Sequence, residues 1–215
     1  MCLIKNIKKM KKFNILLLTY MLSFPLFGQV ESNLGAILYP KLGVKTIENN
    51  IFKVIYSEEL EQPIKLWYTI TCTDGKVERG GINFRGVMGT KTSSDEDYEN
   101  NVWDKGHLAP AASFNCTRED LKSTFTYLNC ALQHQGLNRG PWKELERFER
   151  DLVKIYGKVD VFVEVLFELP LVVVPAGATV PSGFTKTLTF NNESYTFTFP
   201  NKDVAGKDWN YFRIN

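Results

Sequence analysis

Histidine is the scarcest residue of chemical use here, with two in 215 positions. Two imidazoles cannot furnish a multi-histidine metal cluster, and four cysteines in this length do not make a disulfide scaffold. Any metal must therefore be held largely by oxygen or amide ligands. With 15 Gly and 9 Pro, the chain is neither collagen-like nor Pro-rich and of low complexity. No apolar run reaches the about 20 residues of a comfortable membrane-spanning helix. Neither charge dominates, at 26 Lys plus Arg against 24 Asp plus Glu, and 44% of the residues are hydrophobic, which excludes intrinsic disorder. What is present is enough apolar material for a real core in one domain, or at most two small ones.

The first residues need separating from the rest. Lys5, Lys8, Lys9, Lys11 and Lys12 stand without an acid, Phe13 to Phe27 form a short apolar run that includes Pro25, and Gly28 precedes Gln29. A basic region, a short apolar region and a small residue predict a secretory signal over 1–28, a domain over 29–215, and a secreted or periplasmic location. The boundary is open, because Leu26 suits cleavage poorly and Met10 is an alternative start. No Cys ends the apolar run, which argues against a lipid anchor, and no stable membrane association is expected after processing. Removing residues 1–28 leaves 21 basic and 24 acidic side chains, so the basicity of the chain belongs to its leader. A polyanionic ligand would then need a local basic patch. Cys72, Cys116 and Cys130 remain, an odd number for an oxidising compartment. One pair is expected to bridge, Cys116 with Cys130 being one pairing, although sequence does not fix it.

Ile51–Tyr56 and Ile64–Cys72 are rich in β-branched and aromatic residues and predict strands, with Asp74-Gly75 as a turn signal after the second. Thr73–Glu99 is polar, Gly-rich and aperiodic, as expected of a long and functional or mobile surface loop. Thr117 is a helix N-cap candidate, and Thr126–Gln133 predicts a buried strand. The clearest helix follows Gly140, with Pro141 in its first turn and Gly157 beyond its end. Trp142, Leu145, Phe148, Leu152 and Ile155 predict its core stripe, and Lys143, Glu146, Arg147, Arg150 and Lys154 its charged face. Val159, Val161, Val163 and Val165 alternate as in a strand, and a hairpin flanks Asn191-Asn192. There is no internal repeat. The class is α+β, with a mixed or antiparallel sheet and few helices.

Chemistry concentrates in Asp104-Lys105-Gly106-His107, followed by Gln133, Asn138, Glu146 and Arg150. His107 is placed at a strand end beside a turn, where a general base is held rigidly yet meets water. A hydrogen-bonded structural histidine is the plainer account of that residue taken alone. Helical spacing brings Glu146 and Arg150 to one side. An amide, a carboxylate and a guanidinium near a histidine suit a hard cation and a phosphate. Spacing alone favours a solvated ion pair of about 0.3–0.5 kcal/mol without function. Cys116, Cys130 and His134 lack a fourth partner for zinc. Trp103 and Trp142 fit core positions better than base-stacking ones. Lys105, Arg118, Lys122, Arg139, Lys143, Arg147 and Arg150 supply the local basic patch.

Asp104-Lys-Gly-His-Leu-Ala-Pro-Ala111, Gln133, Leu137-Asn-Arg-Gly-Pro-Trp142 and Leu145-Glu146 through Glu149-Arg150 together resemble the sugar-nonspecific DNA/RNA endonucleases of the ββα-metal fold. The likeness is strong over 100–156 and looser in the flanking strands, including Val180-Pro-Ser-Gly-Phe-Thr-Lys186. It implies an endonuclease hydrolysing DNA and RNA with Mg²⁺, Mn²⁺ being a substitute. His107 would be the general base, Asn138 the direct metal ligand, Glu146 the holder of metal-bound waters, and Arg150 a charge stabiliser. Lys105, Arg139 and Arg150 would meet substrate, and an inhibitor protein is a conceivable partner class. The chain departs from the family pattern at Lys105, where Arg is usual, at Leu132, where Pro is usual, and in Leu66–Thr71, which lacks an arginine. Arg79 and Arg85 are both candidates to replace that arginine. These departures leave a second function class open, a catalytically weakened nucleic-acid-binding or interaction module on the same fold.

Overall fold

The computed structural model describes residues 43–72 and 74–215. The expected signal over 1–28 lies outside them. Six strands form one antiparallel sheet in the order β1-β2-β3-β6-β9-β10. They are β1 (Val44–Glu48), β2 (Phe52–Ser57), β3 (Gln62–Ile70), β6 (Val159–Leu166), β9 (Gly183–Phe190) and β10 (Glu193–Pro200). Two further antiparallel pairs stand apart, β4 (Trp103–His107) with β5 (Cys130–His134), and the short β7 (Val172–Val173) with β8 (Thr179–Val180). The two longest helices among the described residues are α1 (Arg118–Thr124) and α2 (Lys143–Tyr156). The fold is α+β, and of the mixed and antiparallel alternatives the central sheet is antiparallel throughout.

Alternation makes this sheet one-sided. Val159, Val161, Val163 and Val165 of β6 are buried, as are Leu66, Tyr68 and Ile70 of β3, and all pack in one core with Trp142, Leu145 and Leu152. Asn191 and Asn192 take positive φ, 45° and 63°, as a tight hairpin between β9 and β10 requires. In α1, the Thr117 hydroxyl accepts from the Asp120 amide at 3.0 Å, the expected cap. Gly157 closes α2 in the left-handed conformation with φ 79°.

Several expectations need correcting. Ile155 is 70% exposed, while Glu149 and Val153 are buried in the stripe of α2. The core selects Glu149 because it has a buried cation to meet. The regular part of α2 starts at Lys143, since Gly140 has non-helical backbone angles and leaves Asn138–Trp142 as an irregular turn. Of the Thr126–Gln133 stretch only the part from Cys130 on is strand, which runs on to His134; Tyr127–Asn129 is a single tight turn, held because buried Asn129 bonds Ala109 and Thr124. The disulfide joins Cys72 to Cys116, not Cys116 to Cys130. Cys130 lies in β5 with its thiol on the Tyr98 hydroxyl, and burial pushes it up to about 12. Edge strand β1 and the β7–β8 pair carry no strong sequence signal.

Candidate active site

The β4–β5 pair is docked on the central sheet by side-chain amides. Gln62 Oε1 accepts from the Leu132 amide at 3.2 Å, and Asn201 bonds both the Leu132 carbonyl and the His134 amide. Gly106 pairs with Ala131 and lies diagonal to Gln133, and a Cβ there would stand 2.4 Å from Gln133 Oε1 and 2.5 Å from its Cβ. The glycine of the Asp-Lys-Gly-His segment is thus set by close approach. Gln133 itself is fully buried.

Beside β4 opens a cleft of about 640 Å³ whose walls include Arg79, Lys105, His107, Asn138, Arg139 and Glu146. Separate parts of the chain meet there: the loop before β4, β4 with the turn after it, Phe125, and the irregular turn with the first turn of α2. His107 packs between Phe84 and Phe125, each ring centroid 4.9 Å from its own. Its Nε2 is buried without a hydrogen-bond partner. Burial, with the charge of Arg79 added, pushes its pKa down to about 3, so the imidazole is neutral at physiological pH. Trp142 Nε1 donates to the His107 carbonyl at 3.2 Å and fixes the strand end to the start of α2.

Asp104 organises the opposite wall. It accepts from Asn138 Nδ2 at 2.9 Å and binds Arg139 in a two-pronged pair, Nε at 2.8 Å and Nη2 at 2.6 Å. Burial works against its ionised form, but the bonds from Arg139 and Asn138 prevail and hold it below the usual carboxylate range. With its Nδ2 engaged, Asn138 has its amide oxygen left as donor atom. Glu146 stands in the same cleft; loss of water around its carboxyl pushes it up to about 7, against the attraction of Lys186. An amide oxygen and a carboxylate form a hard donor set suited to Mg²⁺ that keeps several waters. Among the described residues no group of three or more His, Cys, Asp or Glu is placed to hold a metal. The disulfide also removes Cys116 from any zinc set.

Lys105 lines the cleft but is already engaged. Its ammonium pairs with Asp95, which also accepts from the Tyr127 hydroxyl, and it lies 5.7–5.8 Å from the rings of Phe84, Tyr98 and Tyr127. Arg150 sits one turn beyond Glu146, outside the cleft lining, with Nη1 3.5 Å from Ser113 Oγ. Of the remaining basic cluster, Lys143 reaches the cleft, whereas Arg118, Lys122 and Arg147 do not line it.

Geometry separates the two loop arginines. Arg79 lines the cleft with its guanidinium 4.7 Å from the Phe125 ring centroid. Its loop is pinned by Arg118, which donates to the carbonyls of Glu78 and Gly80 at 2.8 Å each. Arg85 instead bonds the Lys122 carbonyl and does not line the cleft. Sequence reasoning also passed over Asp104 as a functional residue. Its signal was present: an acid heading the His107 segment, with an amide and a guanidinium adjacent in sequence at 138 and 139.

Over 96 residues the chain is 32% identical to human mitochondrial endonuclease G, which covers 43% of this chain and 32% of that protein. It is 28% identical over 140 residues to a nuclease of Nostoc sp., covering 55% of this chain and 47% of that one. The chain thus spans less than half the length of either relative. A chain in the crystal structure of the EndoG/EndoGI complex has the same fold, with a TM-score of 0.72 at 21% identity over 79% of this chain and 80% of that one. Because its match to the family extends over residues 35–215, well beyond the His107 segment and across the whole sheet, the chain belongs to the DNA/RNA non-specific endonuclease family.

Proposed function

We propose that the protein is an exported, Mg²⁺-dependent endonuclease that hydrolyses phosphodiester bonds of both DNA and RNA. The observation that carries this reading is the convergence of His107, Asn138, Glu146 and Arg79 on one cleft. A phosphodiester is an anion that repels hydroxide, so its hydrolysis needs positive charge on the phosphate and a base for the attacking water. A bound Mg²⁺ would supply Lewis acidity toward the phosphate and leaving oxygen. Asn138 is assigned as its direct ligand through the amide oxygen, and Glu146 as the carboxylate that completes the polar wall.

His107 is the base. Since Nε2 is sealed among aromatic rings, the proton belongs there, and the Nδ1 lone pair is the one to take a proton from water in the cleft. Arg79 is the phosphate-binding arginine, in place of the one missing from Leu66–Thr71. Arg139, held by Asp104, has Nη1 outside that pair for substrate, and Lys105 reaches substrate when phosphate displaces Asp95. Arg150 acts from behind, through its charge on Glu146. Recognition centred on the phosphate, and not on the 2′-hydroxyl or base edges, would make the enzyme indifferent to sugar and sequence.

The 1–28 segment supports export and removal of the leader. An inhibitor protein as partner is supported by the EndoG/EndoGI complex, which describes inhibition of EndoG. One observation favours a weakened, binding-only module: the Lys105 ammonium is held by Asp95 and aromatic rings. The purified protein incubated with plasmid DNA and with RNA, in Mg²⁺ or in chelator, separates the two readings. The enzyme cuts both polymers in Mg²⁺ and neither in chelator; the binding module retards both and cuts neither.

A further inference from the structure

Lys186 and Glu149 form an ion pair of 2.8 Å with both side chains at 0% exposure. Lys186 occupies a core-facing position of β9, in line with buried Phe184, Leu188 and Phe190, where an apolar residue would follow the pattern. Burying two charges is costly, and well-packed apolar replacements of such pairs are often neutral or stabilising, so stability does not account for this one. Its surroundings point elsewhere. Glu149 also accepts from the Tyr68 hydroxyl at 2.9 Å, and the ammonium lies 4.0 Å from the centre of the Trp142 ring. Trp142, Glu146 and Glu149 are spaced by four and three residues, so they lie along one stripe of the helix. Lys186 therefore grips the two residues that flank Glu146 in that stripe, and one of them, Trp142, holds the His107 carbonyl through Nε1.

We infer that Lys186 is a positioning residue: its ammonium, clamped between Glu149 and the indole face of Trp142, fixes the separation of His107 on β4 from Glu146 on α2. This rests on the nuclease reading of the cleft. The test neutralises the pair without leaving a lone charge, in Lys186→Met combined with Glu149→Gln. Small misplacements far from the chemistry cost up to about 100-fold in rate. The double variant, folded and melting within about 5 °C of wild type, is expected to lose about 10- to 100-fold in kcat with KM within about twofold. The chain has two histidines, so His107→Ala assigns the two ring resonances in an NMR spectrum. The His107 resonance should move in the double variant while that of His134 stays.

Wild-type kcat in the folded double variant overturns the inference. So does a fall in kcat with the His107 resonance unmoved, or with both resonances moved, which marks general distortion. If the double variant does not fold, Trp142→Phe decides on the link that carries the clamp to the site: it keeps a ring over Lys186 but removes the indole donor that the His107 carbonyl and Glu146 share. It must show the same kcat-only loss and the same selective shift; wild-type behaviour overturns the inference. A wild-type protein that cleaves neither DNA nor RNA refutes the nuclease reading instead, and the two-histidine spectrum of the variants still decides the positioning.

Discussion

At the scale of single residues, the cleft separates groups that sequence leaves equivalent. Arg79 and Arg85 are six positions apart in one loop, yet Arg79 faces the site and Arg85 caps a carbonyl of α1. Arg79→Ala should therefore lower kcat/KM by at least about tenfold, as loss of a charge-assisted phosphate contact does, while Arg85→Ala leaves it within about twofold. Equal effects of the two substitutions would remove Arg79 from the mechanism. His107 gives a second test at this scale. Its native pKa of about 3 lies below the unfolded value near 6.5. As pH falls through about 6.5 the unfolded chain takes up a proton that the native state refuses until about pH 3, so this group's contribution is complete above pH 6.5 and is lost toward acid. Urea midpoints compared at pH 7.5 and pH 5 should drop further for wild type than for His107→Gln. A parallel drop in both would show that the imidazole is not desolvated.

At the scale of elements, β4, β5 and the irregular turn that leads into α2 act as one unit because three contacts cross between them: Asp104 to Asn138 and Arg139, Trp142 to the His107 carbonyl, and Gly106 against Gln133. Gly106→Ala forces a methyl into Gln133 and should destabilise the protein by about 1–3 kcal/mol, the cost of overpacking, read as a lower denaturant midpoint. An unchanged midpoint would mean that the strands separate freely at that point. Helix α2 shows what was legible in the sequence. Its caps and periodicity predict where it lies, since Pro141 and Gly157 act locally. They do not reveal that Glu149 turns inward, because the reason is Lys186, 37 residues away in β9. The disulfide misleads for the same reason: near neighbours in sequence suggest Cys116 with Cys130, whereas folding brings the end of β3 to Cys116.

At the scale of the whole molecule, the alternating strands and the segment from Asp104 to Arg150 disclose the fold class and most of the cleft. Tertiary contacts supply the rest: Arg79 from an aperiodic loop, Asp95 competing for Lys105, and Arg150 withdrawn toward Ser113. Competition by Asp95 makes Lys105 a graded contributor. Lys105→Ala should lower cleavage and flatten the slope of log affinity against log salt by about one unit, and unchanged rate and slope would show that Lys105 never leaves Asp95. The central claim is that a neutral His107 in this cleft is the base for metal-assisted phosphodiester hydrolysis. Its most direct test is the initial rate of plasmid nicking in Mg²⁺ by wild type and by His107→Ala of matched circular dichroism. The account predicts a loss of at least about 100-fold, within the range of a general base, while wild-type nicking by the folded variant would contradict it.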